Sequence, residues 1–83
     1  MFHRVKAVEP LPDMQLRVSF VDGSIKRYDV KPLLELWEPF KDLASVVGLF
    51  NQVQVDMGGY GISWNADIDL ACDELWENGL PIQ

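Results

Sequence analysis

The strongest constraint on this fold is a double glycine flanked by apolar alternation on both sides. Val53, Val55 and Met57 recur at every second residue, Gly58-Gly59 follows, and Tyr60, Ile62 and Trp64 recur at every second residue beyond it. Side chains alternate faces along a strand, and paired glycines suit the tight turns that join antiparallel strands. A two-residue Gly-Gly loop pairs Met57 with Tyr60, Val55 with Ile62 and Val53 with Trp64, placing three apolar pairs on one face.

A second hairpin precedes it. Met14, Leu16, Val18 and Phe20 alternate with Gln15, Arg17 and Ser19, and Asp22-Gly23 leads into residues 24–30. A two-residue loop would set Leu16 against Asp29 and bring an acid to the core face. A three-residue loop with Gly23 left-handed in a bulge instead pairs Phe20 with Ser24, Leu16 with Tyr28 and Met14 with Val30. The bulged register is preferred because it buries Tyr28 and Val30, at the expense of setting Arg17 near Arg27 on the outer face.

Residues 1–9 read as a further strand, ended by Pro10-Leu11-Pro12-Asp13, which is expected to be loop. Pro32 suits the first turn of a helix whose apolar face is Leu33, Leu34, Leu36 and Trp37 and which Pro39 ends. Phe40, Leu43, Val47 and Phe50 follow at helical spacing, with Gly48 near the end. A last short helix carries Asp73 and Glu74 in its first turn and turns Leu75 and Trp76 inward. Gly79 is expected as its left-handed cap, with Leu80 folding back on Leu75 or Trp76. The expected fold is α+β: a small, mostly antiparallel sheet of about five short strands, covered by two or three short helices. At 83 residues this is one domain, 1–83, with no room for a second core.

Thirteen acids stand against seven bases, for a formal charge of -6. The bases run from Arg4 to Lys41, and the rest of the chain carries Asp42, Asp56, Asp67, Asp69, Asp73, Glu74 and Glu77 with no base. Phosphate contacts need clustered Lys and Arg, so nucleic acid is not an expected partner. The acidic half reads as a solvated face or as a surface for a basic protein. No stretch has the roughly 20 apolar residues of a membrane span, and the N-terminus lacks the apolar run of a signal peptide. One cysteine, Cys72, makes no internal disulfide, so a cytoplasmic setting is expected.

Asn65, Asp67 and Asp69 alternate like the first ligands of a calcium loop, but Leu70 stands where that loop requires Gly. The run reads first as a turn with Asx caps before a helix, and Asp67, Asp69 and Asp73 remain candidate metal ligands. Gly58-Gly59-Tyr60-Gly61 precedes a strand rather than a helix, which argues against a phosphate loop. Cys72 has acidic neighbours that raise a thiol pKa, so a Cys72–His3 nucleophilic pair is disfavoured, and His3 reads as an exposed strand residue. Trp37, Trp64 and Trp76 each sit in an apolar pattern and read as core; any that is exposed becomes an interface candidate.

The order of these pieces also carries a family likeness. It runs Leu11-Pro12-Asp13-Met14-Gln15-Leu16, Val18-Ser19-Phe20-Val21-Asp22-Gly23 and Arg27-Tyr28-Asp29-Val30-Lys31-Pro32-Leu33-Leu34. It continues through Leu49-Phe50-Asn51-Gln52-Val53, Gly61-Ile62-Ser63-Trp64 and Asp69-Leu70 to Asp73-Glu74-Leu75-Trp76-Glu77-Asn78-Gly79. This resembles the domain of unknown function 2442 family of small prokaryotic proteins, with Cys72 where that family commonly has Pro. The resemblance implies a small α+β fold, no cofactor and no catalytic residues to transfer. It implies gene pairs that look like toxin–antitoxin modules. The helix-turn-helix domain of some relatives is not expected here, so the resemblance carries over no DNA binding.

The expected function is therefore a non-enzymatic protein-interaction module, the antitoxin-like partner of a small basic neighbour. The alternative is a small-molecule or divalent-ion binder, or a weak hydrolase, with Asp67, Asp69 and Asp73 near Trp64 or Trp76. Self-association is a third expectation, because the first strand's edge has no gatekeeper beyond Lys6.

Overall fold

The structure is a computed structural model and describes residues 3–82. Its elements are β1 (Val5–Leu11), β2 (Gln15–Phe20), β3 (Ile25–Asp29), α1 (Leu33–Leu36), α2 (Asp42–Ser45), β4 (Gln54–Val55), β5 (Gly61–Asn65), β6 (Ile68–Ala71), α3 (Cys72–Asn78) and β7 (Leu80–Pro81). The fold is α+β, but the strands number seven rather than five and form two antiparallel sheets, β1-β2-β3-β7 and β4-β5-β6.

The first hairpin has the bulged register. Leu16 faces Tyr28 and Arg17 faces Arg27. The Phe20 N–H donates to the Ser24 carbonyl at 2.8 Å and the Val30 N–H to that of Met14 at 3.0 Å. Gly23 takes φ +95°, a conformation that costs other L-residues a steric clash. Opposite Arg17 on the other side, Glu9 approaches to 4.0 Å in an exposed ion pair that offsets part of the Arg–Arg repulsion.

The expected strand over residues 1–9 is displaced. Met1 and Phe2 lie outside the described residues, and β1 runs through Pro10 and Leu11, which face Leu16 and Gln15. Pro10 is tolerated because β1 is an edge strand, with no ladder on its far side to need the missing N–H. The turn is made by Pro12, Asp13 and Met14, the last two at φ 65° and 58°. Lys31 Nζ holds this turn, donating to the Asp13 carbonyl at 2.8 Å and its carboxylate at 3.0 Å.

The second hairpin keeps its register and changes its turn. Val55 faces Ile62 and Gln54 faces Ser63, but Met57, Gly58, Gly59 and Tyr60 all belong to the connection. The Asp56 N–H donates to the Gly61 carbonyl and the Gly59 N–H to that of Asp56, both at 2.9 Å. Gly59 lies against β1, where a Cβ would come 2.6 Å from the Val5 carbonyl. That docking turns Met57 and Tyr60 outward instead of pairing them on the core face.

A third hairpin was not expected. Ala66-Asp67 joins β5 to β6, and Asn65 Oδ1 accepts from the N–H of Asp67 at 2.9 Å and of Ile68 at 3.0 Å. The Asx turn is real, but it opens a strand rather than a helix. Ile68 and Leu70 alternate inward on that strand.

The helical segments are shorter than their spacing predicts. Pro39 removes an N–H and breaks the run, so Trp37 is extended (φ -131°, ψ 124°) and a 3-10 turn covers Glu38–Lys41. Leu33, Phe40 and Leu43 are buried, whereas Leu36, Trp37 and Val47 face solvent. Gly79 is extended (φ -75°, ψ 150°), not left-handed. It is glycine for space: a Cβ there would come 2.6 Å from the Leu75 carbonyl. Leu80 accordingly does not fold back on α3; it enters β7 opposite Arg27 and is exposed.

The inner face of the four-stranded sheet (Leu16, Val18, Phe20, Tyr28) packs with Ile62, Trp64, Ile68 and Leu70 of the other sheet and Leu75 of α3 in one core cluster. Among the described residues no helix is long and apolar enough to cross a membrane.

Candidate functional site

The three tryptophans have three environments. Trp64 is 5% exposed, sits at a bulge in β5, and donates through Nε1 to the Phe50 carbonyl at 3.0 Å. Phe40 meets it edge-on and Phe50 stacks on it, each with centroids 6.1 Å apart. It is core. Trp76 is half-buried in a stack described below. Trp37 is 49% exposed, with its ring centroid 5.5 Å from that of Phe40, so of the three tryptophans it presents the largest aromatic face to solvent.

Trp37, Pro39, Phe40, Asp67 and Asp69 line a shallow cleft of about 330 Å³. A neighbouring groove is lined by Glu38, Pro39, Lys41, Asp42, Asn65 and Asp67. Two elements create the arrangement: the Pro39 break turns Trp37 outward, and the β5–β6 hairpin brings Asp67 of its turn and Asp69 of β6 beside it. Lys41 is the one base on this surface and pairs with Glu38 at 3.1 Å. The aromatic beside the Asp pair is Trp37, not Trp64 or Trp76 as the sequence suggests. Asp73 lies in the first turn of α3 and lines neither cleft. Among the described residues no three His, Cys, Asp or Glu side chains form a metal-binding group.

His3 and Cys72 do meet, through the main chain of His3 and not its imidazole. Cys72 Sγ donates to the main-chain carbonyl of His3 at 3.2 Å. The His3 ring is half-buried and stacks on Trp76, with centroids 3.5 Å apart and planes 14° apart. Lys26 Nζ stands 4.0 Å from the Trp76 ring centroid and donates to the Trp76 carbonyl, while Phe20 meets the indole edge-on. Burial, then the charge of Asp73, pushes the Cys72 thiol up, away from the nucleophilic thiolate.

A further cleft, of about 520 Å³, lies between β3, α1 and α3 and had no signal in the sequence pattern. Tyr28 Oη donates to Glu74 Oε2 at 2.8 Å, and Asn78 Nδ2 donates to the same oxygen at 2.9 Å. Burial, followed by this bond to Glu74, raises the Tyr28 phenol far above its ordinary value. The inward face of Tyr28 was legible; its pairing with a residue 46 positions away was not.

These features define a small acidic α+β protein of two antiparallel sheets, with one solvent-facing cleft beside Trp37 and another between β3, α1 and α3. The chain belongs to the family described as Protein of unknown function (DUF2442), which it matches over residues 5–81. Nothing among the curated proteins or the solved structures matches it.

Proposed function

We propose that the chain is a non-enzymatic protein-binding module that docks a basic partner over Trp37, as the antitoxin-like half of a two-gene pair. The observation that carries this reading is the half-exposed Trp37 beside Asp67 and Asp69. Tryptophan is enriched among the residues that anchor interfaces, and an acidic rim steers a basic partner toward it. Asp67 and Asp69 belong to the base-free run of residues 42–83. The neighbouring gene's product, as the family likeness implies, is the first partner to test.

Co-expression and co-purification with that product is the experiment. A complex at micromolar concentration that Trp37→Ala weakens by about tenfold or more supports the reading. Absence of a complex at both low and moderate salt overturns it. Thermal shift with Ca²⁺, Mg²⁺ and Mn²⁺ tests the ion-binding alternative, since a ligand of the native state alone raises the Tm.

A further inference from the structure

We propose that the cleft beside Asp29 takes an extended peptide bearing Lys or Arg, which adds to the free edge of β3. β7 pairs only with Lys26 and Arg27, so it stops short of the last residue of β3. The Phe20–Ser24 and Val30–Met14 bonds direct the even-numbered residues of this strand toward β2. The Ile82 N–H donating to the Ile25 carbonyl directs the odd-numbered ones the other way. By the same alternation the N–H and C=O of Asp29 point to the edge that β7 leaves uncovered, which is the template for strand addition.

The cleft lies at this open edge. Leu36 and Leu80, 67% and 62% exposed, give it apolar walls for an incoming side chain. At its side stands Glu74. One carboxylate oxygen already accepts from Tyr28 and Asn78, and no cation among the described residues lies within ion-pair distance of either oxygen. A half-buried carboxylate held by neutral donors selects an ammonium or guanidinium from outside. Arg27 also lines the cleft without pairing with Glu74. A free amine would answer Glu74 but leave the main chain of Asp29 unpaired; a basic peptide answers both.

The site is separate from the Trp37 surface, and its test uses the wild-type chain with synthetic probes. Calorimetry would compare acetyl-Val-Val-Lys-Val-amide, its norleucine analogue, its N-methylated analogue and lysine amide. The first is expected to bind, and each of the others about tenfold or more weakly. Glu74→Gln, which keeps an acceptor for Tyr28, should weaken the first peptide by about tenfold, and Trp37→Ala should leave it unchanged. No binding of the first peptide up to about 1 mM, an equal affinity of the norleucine analogue, or lysine amide binding as tightly as the peptide would each overturn the proposal. Because Trp37→Ala separates the two surfaces, failure here leaves the partner reading standing, and failure there leaves this one.

Discussion

Trp64 and Trp37 differ by one proline. Both sit in apolar stretches, yet the break at Pro39 leaves one ring half in water while the other is enclosed by Phe40 and Phe50. In urea denaturation Trp64→Ala should cost about 3–5 kcal/mol, and Trp37→Ala about 1 kcal/mol or less, as befits a surface site. Tyr28 adds a pH signature. Its folded-state pKa is raised, so the stability from its neutral hydroxyl is fully present below the unfolded tyrosine value of about 10 and is lost as pH rises beyond it. Tyr28→Phe should lower stability near neutrality by about 1 kcal/mol and flatten the fall above about pH 10 in alkaline urea titrations. Cys72, buried and bonded to the His3 carbonyl, should react with a disulfide reagent slowly in the native protein and quickly in urea. Burial of Cys72 follows from its size and type; its bond to His3 spans nearly the whole chain and leaves no local pattern.

At the scale of elements, period-two alternation read well and local breakers read poorly. The β2–β3 register was legible because only one pairing keeps an acid off the core face, and Gly23 supplies the turn it needs. Gly23→Ala should cost about 1 kcal/mol from φ alone, since nothing lies within 4 Å of a Cβ there. Gly79→Ala tests the opposite cause: its φ suits any residue, but the Leu75 carbonyl fills the space. A chemically synthesised chain with D-Ala at 23 should unfold at a temperature near that of the native chain, whereas D-Ala should give no such relief at 79. The turn at Gly58-Gly59 departs from a two-residue loop because Gly59 docks against Val5, about 54 residues upstream. β6 is not legible because Asn65, Asp67 and Asp69 form a metal-loop-like pattern that overlaps its only inward residues, Ile68 and Leu70. The acidic rim was visible in composition, but no sequence pattern sets Asp67 beside Trp37; the β5–β6 hairpin does that.

Over the whole molecule, base and acid are unevenly shared. Every Lys and Arg precedes residue 42, whereas the hairpin carrying Asp67 and Asp69 belongs to the base-free part. Association through that rim should weaken as ionic strength rises, with the change mostly in the on-rate, which stopped-flow measurements at about 50 and 300 mM salt would read. The order of strands has its own consequence. The sheet that begins at residue 5 receives its fourth strand only at residues 80–81, after the other sheet and α3 have intervened. A nascent chain therefore has to hold three quarters of that sheet open until residues 80–81 have left the ribosome, and the first sheet can lock shut only after the second one and α3 have emerged.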